Sequence, residues 1–148
     1  MARPPAPMTK IRSLLMLAAL LWGLQSPAFG AVDVIVNNDV PLRQISENTL
    51  RAIYTLRQTR WPDGRPVQVF VLADDDPLHG EFAKGLLGMY PYQLRQIWDQ
   101  MTFSGMGQAP VQLSNQTEML RRVAATPGAI GYISIPAGNE HVHILSIR

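Results

Sequence analysis

The sequence contains no cysteine among its 148 residues. This absence excludes disulfide bonds, thiol nucleophiles and a lipid anchor attached to an N-terminal cysteine. The sequence also lacks a Gly-x-Ser-x-Gly nucleophile elbow, a His-Glu-x-x-His zinc motif and a phosphate-binding glycine-rich loop. We therefore expect a protein that is not an enzyme and that carries no cofactor.

Basic charge is scarce once the N-terminal residues are set apart. The whole chain has 13 basic and 11 acidic residues. Three of the basic residues and none of the acidic ones lie in residues 1–30, which leaves a net charge of −1 on residues 31–148. There is no basic stripe and no interleaved aromatic platform, so nucleic acid is not an expected partner.

The N-terminal residues 1–30 have the form of a secretory signal peptide. Basic residues precede an apolar run at 13–24, which is shorter than the about 20 residues that a membrane span needs. Ala28-Phe29-Gly30 then places small residues at the two positions that determine cleavage. We expect cleavage before Ala31, and residues 31–148 as one periplasmic domain without a membrane span.

Strand and helix patterns alternate from residue 32 onward. Runs rich in β-branched and apolar residues predict strands at 32–37, 67–72, 111–113, 129–134 and 142–147. Amphipathic spacing and capping residues predict helices at 47–56 and from Pro77, Pro91 and Gln116 onward. This alternation predicts an α/β fold, a single-lobe three-layer sandwich with a mostly parallel sheet.

Three loops of this predicted sheet could hold a ligand. In open α/β sheets, ligands bind beyond the carboxyl ends of strands, where helix N-termini offer free N–H groups. The candidate ligand-binding residues are Asn37 and Asn38 after the first strand, Asp74, Asp75 and Asp76 after the second, and Ser114, Asn115 and Thr117 after the third. The simpler interpretation of each loop is capping, which every helix requires.

Two groups of side chains could instead hold a cation. The three acids offer the oxygen ligands that calcium prefers, but they lack the alternating Asp-x-Asp-x-Asp-Gly spacing. His141 and His143 would face one side of a strand and could share zinc or copper, with His79 or Glu140 as a third ligand. An exposed histidine pair is the simpler interpretation, and we expect no metal site.

A helix followed by Thr126-Pro127-Gly128-Ala129-Ile130-Gly131-Tyr132 is a distinctive string in this chain. Pro127 ends the helix, and Gly128 can adopt the left-handed conformation of a C-terminal cap. Together with the helix at Leu50–Tyr54 and the loop that carries Trp61, this order of motifs resembles the phosphate-binding proteins of ABC transporters, within the type 2 periplasmic-binding superfamily. One of that family's two lobes is represented. The resemblance implies a small single-lobe relative that binds a small solute, an anion among the candidates, or an envelope protein.

The resemblance breaks at the phosphate site. The family carries Arg-x-x-x-Ser-Gly-Thr after the second strand, and an alignment on Phe82 puts Leu72 in place of the arginine. Residues 76–78 replace the Ser-Gly-Thr, and Pro77 among them has no N–H to donate. The acids at 74–76 would also repel a phosphate. We therefore predict weak or no phosphate binding, and we keep an accessory protein of an envelope assembly, without a small ligand, as the alternative function.

Overall fold

A computed structural model describes residues 2–4 and 30–148. The elements follow one another in this order: β1 (Asp33–Asn37), β2 (Gln44–Ile45), α1 (Glu47–Tyr54), β3 (Gln68–Val71), α2 (Pro77–Phe82), a π-helix (Ala83–Leu87), α3 (Pro91–Phe103), β4 (Val111–Gln112), α4 (Gln116–Ala125), β5 (Ala129–Ile133), β6 (Val142–Ile144) and β7 (Ser146–Ile147). The predicted alternation of strands and helices is confirmed from β1 to β6.

In the described part of the chain, the central sheet has five strands in the order β4-β3-β5-β1-β6. β3 pairs in parallel with β4 and β5, whereas β1 pairs antiparallel with β5 and β6. Four of these five strands therefore point the same way, and β1 points the other way. The prediction of a mostly parallel sheet is confirmed. The direction of β1 has no local cause, because both of its neighbours come from the C-terminal part of the chain.

Helices cover both faces of this sheet. Gly131 of β5 faces α4 so closely that a Cβ atom there would lie 2.5 Å from Met119 Sδ and 3.0 Å from Val123 Cγ2. The next residue, Tyr132, faces the other side, where its ring stacks on Phe82 with the centroids 4.0 Å apart. A strand between two helix layers is buried on both faces, which is why β5 is buried along its whole length. The result is the predicted three-layer sandwich.

Two elements end at least two residues before their predicted ends. Helix α1 stops at Tyr54 rather than near Leu56, because Leu56 adopts a positive φ of 61° that a helix cannot include. The predicted strand at 142–147 is interrupted at Leu145, which is 2% exposed and donates its N–H to Val34. The chain then passes to a second, two-stranded sheet, in which β7 pairs in parallel with β2. The sequence patterns had not predicted β2.

The described residues include no helix that is both long enough and apolar enough to cross a membrane. The predicted signal peptide at 1–30 lies almost entirely outside the described residues. Its cleavage before Ala31 therefore stays a prediction.

Candidate functional site

The direction of β1 places the three predicted loops at two different edges of the sheet. The loops after β3 and β4 lie together at the edge where the parallel strands end, which we call the carboxyl edge. Asn37 ends β1 and Asn38 follows it, so both lie at the opposite edge, which we call the amino edge. There the Asn38 N–H donates to the carbonyl of His141, just before β6 begins. The structure therefore brings together 74–76 and 114–117, and it separates Asn37 and Asn38 from them.

The Asn37 side chain is engaged within the fold. Its Nδ2 donates to the carbonyls of Val123 and Ala124 at distances of 2.9 and 3.1 Å, and its Oδ1 accepts the N–H of Asp39. Because the two carbonyls belong to the last turn of α4, the buried amide satisfies groups that a helix end leaves without partners. Asn38 is exposed beside it.

The three acids of the β3–α2 loop have three different environments. Asp76 caps α2 by accepting the N–H of Leu78 at 2.8 Å. Asp74 accepts two hydrogen bonds of 2.9 Å from the guanidinium of Arg95, and these bonds lower the pKa of the Asp74 carboxyl. Asp75 is exposed. The negative charge expected at this loop is therefore partly offset by an arginine from α3.

The start of α4 forms the other half of the carboxyl edge. Asn115 accepts the N–H of Glu118 at 2.8 Å, and the Glu118 carboxylate accepts the N–H of Ser114, which confirms the predicted capping interaction. The Gln116 side chain extends toward the end of β5 and accepts the N–H of Ser134. An open hollow of about 360 Å³ lies at this helix start, lined by Ser114, Asn115, Thr117, Glu118 and Arg121. Thr117 is exposed in it.

A buried polar cluster lies beside the carboxyl edge, and the sequence analysis did not find it. The Tyr132 hydroxyl accepts the N–H of Leu72 at 2.8 Å and shares a 2.5 Å hydrogen bond with Nδ1 of His79. Leu72 is fully buried and belongs to the core. His79 is also fully buried, and its Nε2 has no hydrogen-bond partner among the described residues. Burial lowers the pKa of His79, although the carboxylates of Asp74 and Asp76 oppose this effect.

The histidines considered for a metal occupy separate environments. His141 lies just outside β6 and is exposed, with its Nε2 3.6 Å from the Glu140 carboxylate. His143 lies within β6, and its Nε2 is 2.9 Å from the carbonyl of Leu42. His79 belongs to the buried cluster described above. Among residues 2–4 and 30–148, no three acidic or histidine side chains are grouped in a way that could hold a metal ion.

These observations define a single α/β lobe whose polar loops collect where the parallel strands end, which is where such sheets bind ligands. Residues 25–142 match the protein family described as a PBP superfamily domain. This match covers well over half of the sequence. The chain belongs to the periplasmic-binding-protein (PBP) superfamily.

Solved structures of larger proteins share this fold. A phosphate ABC transporter substrate-binding protein from Clostridium perfringens, determined with bound phosphate, superposes with a TM-score of 0.65 at 17% sequence identity, over 80% of this chain and 45% of that one. An ABC-type phosphate transport receptor from Vibrio cholerae gives a TM-score of 0.60 at 15% identity, over 80% of this chain and 46% of that one. PstS from Borrelia burgdorferi gives a TM-score of 0.58 at 18% identity, over 80% of this chain and 47% of that one. No curated protein matches the sequence.

The chain thus spans less than half the length of these solved proteins. At such identities the likeness concerns the fold.

Proposed function

We propose that this protein is a non-catalytic binding-protein-like domain of the periplasm. Its carboxyl edge recognises a small solute other than free phosphate, or a protein partner, in connection with an ABC-type uptake system. The observation that carries the proposal is the position of the polar loops at 74–76 and 114–117, together at the strand ends of a PBP superfamily lobe. Edges of this kind are where α/β sheets bind ligands.

The contacts at this edge argue against free phosphate as the ligand. Five of the backbone N–H groups at this edge already have partners within the chain, namely those of Leu78, Ser114, Glu118, Ser134 and Ile135. Leu72 supplies no charge, and Pro77 has no N–H. A phosphate would have to displace the Asp76 and Glu118 carboxylates, which already accept hydrogen bonds there.

The same contacts support a second candidate, an accessory protein of an envelope assembly that has no small-molecule ligand. Each helix start at this edge has a side-chain cap from its own chain, Asp76 for α2 and Asn115 for α4, so neither depends on a bound ion for its cap. The chain also matches less than half of each solved relative, so a cleft between two lobes does not follow from the part that matches. An open edge of this kind presents its polar loops to a partner surface.

Thermal melting with a panel of oxyanions, amino acids, sugars and divalent cations tests the two candidates. A specific solute stabilises the folded state by mass action, by about 2.7 kcal/mol at a hundredfold excess over its dissociation constant. The shift in Tm should saturate, and it should weaken in Ser114→Ala or Asp75→Ala at the carboxyl edge. The matched variant Asn38→Ala at the amino edge should leave it unchanged. A panel without any saturable shift would instead support the accessory protein.

Cell fractionation tests the proposed location. We expect the protein in the periplasmic fraction with Ala31 as its first residue, because Ala28-Phe29-Gly30 forms the predicted cleavage motif. N-terminal sequencing of the isolated protein gives the answer directly. Recovery of intact residues 1–30 in the membrane fraction would show that this segment is an anchor.

A further inference from the structure

Arg95 is a guanidinium at the carboxyl edge that the sequence motifs did not indicate. Its Nε donates to Oδ2 of Asp74 and its Nη2 donates to Oδ1, both at 2.9 Å. Two parallel hydrogen bonds to the two oxygens of one group are the geometry with which arginine holds a carboxylate or a phosphate. Both side chains are only about a third exposed, at 35% and 39%.

The Arg95 guanidinium is also held in position by the ring of Trp98. Its central carbon lies 5.2 Å from the ring centroid of Trp98, within the range of a cation–π interaction. Trp98 is fully buried, and its Nε1 donates to the carbonyl of Tyr54 at 2.8 Å. The platform under Arg95 is therefore fixed by the core, so the orientation of the guanidinium does not depend on Asp74 alone.

We propose that Arg95 is the anion-recognising residue of the carboxyl edge, and that the Asp74 carboxylate occupies its two donors as a built-in substitute for an oxyanion ligand. This inference rests on the proposed function, which makes the carboxyl edge the recognition surface. Leu72 stands where the family resemblance expects an arginine, and Asp74 occupies the guanidinium of Arg95. The wild-type domain is in this way closed to free oxyanions, and removal of the Asp74 carboxylate opens a site for them.

Other carboxylates near Arg95 limit how tightly an anion can bind once Asp74 is removed. Asp75 and Asp76 lie in the same loop, and Asp99 is the other acid whose charge acts on Arg95. Each of these carboxylates would weaken the binding of an anion without occupying the guanidinium. The increase in anion affinity on removal of the Asp74 carboxylate is therefore best measured at low ionic strength, where interactions of exposed charges are least screened.

Isothermal titration with inorganic phosphate, at near-neutral pH and low salt, tests this inference. The two variants to compare are Asp74→Ala and Asp75→Ala, because each removes one negative charge from the same loop and only the first frees Arg95. We expect Asp74→Ala to bind phosphate at least about tenfold more tightly than Asp75→Ala, since charge-assisted bidentate hydrogen bonds are strong. Asp74→Asn, which keeps the shape of the side chain, serves as the second variant if Asp74→Ala does not fold.

The double variant Asp74→Ala/Arg95→Ala should lose the whole increase in phosphate affinity that Asp74→Ala produces. Equal affinities of Asp74→Ala and Asp75→Ala would overturn the inference, and so would a gain that persists without Arg95. Either result would leave the proposed function standing. Tight phosphate binding by the wild-type protein would instead contradict the proposed function, so the two failures are distinguishable.

Discussion

The two edges of the sheet are held together in different ways. At the amino edge, long-range hydrogen bonds join distant parts of the chain: Trp61 Nε1 donates to the carbonyl of Gly128 at 2.9 Å, and the Asp39 carboxylate accepts both the Gly128 N–H and Arg65. Asn37 adds the end of α4 to this network. At the carboxyl edge the starts of α2 and α4 are capped by residues two to four positions away. The longer-range hydrogen bonds there, of Arg95 with Asp74 and of Gln116 with Ser134, are only partly buried.

This difference separates two roles within one small fold. Long-range contacts that are buried contribute to global stability, because they are lost only when the fold opens. Local caps hold their own helix and leave the surrounding side chains exposed. We therefore expect substitutions at the amino edge to change stability, and substitutions at the carboxyl edge to change recognition with smaller effects on stability.

The largest effect is expected for Gly128→Ala at the amino edge. Gly128 has a φ of 71°, and a Cβ atom there would lie 2.5 Å from the backbone carbonyl oxygen of Pro66. The left-handed conformation and the overlap together should lower the free energy of unfolding by about 2–5 kcal/mol. Urea denaturation measures the change. Gly138→Ala, where a Cβ atom would meet nothing within 4 Å, is the matched control and should stay near wild type.

A smaller loss is expected for Asn37→Ala. The substitution removes the side-chain donor from the carbonyls of Val123 and Ala124 at the end of α4, which should cost about 1–3 kcal/mol. Asn38→Ala changes the same residue type one position later at an exposed site, and it should stay within about 0.5 kcal/mol of wild type. Equal stabilities of the two variants in chemical denaturation would contradict the structural role given to Asn37.

The buried histidine beside the carboxyl edge predicts a dependence of stability on pH. Burial lowers the pKa of His79 in the folded state below its ordinary value of 6.5. Above pH 6.5 the side chain is neutral in both states, so its contribution to stability is complete. As the pH falls below 6.5, the unfolded state takes up a proton that the folded state does not. The free energy of unfolding should then decrease by up to about 1.4 kcal/mol per pH unit, until the pH reaches the folded-state pKa.

Denaturation curves between pH 7.5 and about pH 5 would show this slope. The variant His79→Gln cannot titrate, so the contribution of this side chain should disappear and the curve should become flatter. An unchanged slope in His79→Gln would assign the pH dependence to other groups.

The smallest effect on stability is expected for the cap of α4. Asn115→Ala removes the acceptor of the Glu118 N–H, and the loss of such a cap costs about 1 kcal/mol. Thr117→Ala, at an exposed position in the first turn, is the control and should change stability by less than about 0.5 kcal/mol. Thermal melting of both variants measures this difference in stability. A cap variant as unstable as Gly128→Ala would remove the distinction between the two edges.

Local patterns in the sequence were enough to predict most elements of the fold. The caps at Asp76 and Asn115, and the helix end before Gly128, depend on residues within four positions of one another. The resemblance to phosphate-binding proteins of ABC transporters depended on the order of these local motifs.

Contacts between distant residues could not be predicted in this way. The direction of β1 depends on its pairing with Ile130–Ile133 and Val142–Ile144, about a hundred residues later. The sequence therefore could not show that the loop after β1 lies at the opposite edge from the loops after β3 and β4. The pairing of Asp74 with Arg95 joins the β3–α2 loop to α3, over a separation of 21 residues. No local pattern distinguishes Asp74 from Asp75, so the sequence did not indicate which of these two acids would pair with an arginine.

The carboxyl edge is the part of the molecule on which the proposed function depends, and its central claim is that wild-type protein does not capture free phosphate. Isothermal titration of the protein with inorganic phosphate at near-neutral pH tests this claim most directly. Because Leu72 offers no charge and Asp74 occupies Arg95, we expect no saturable heat of binding in the micromolar range. A micromolar dissociation constant would contradict the account, and it would place an anion site where the structure shows satisfied caps and an internal ion pair.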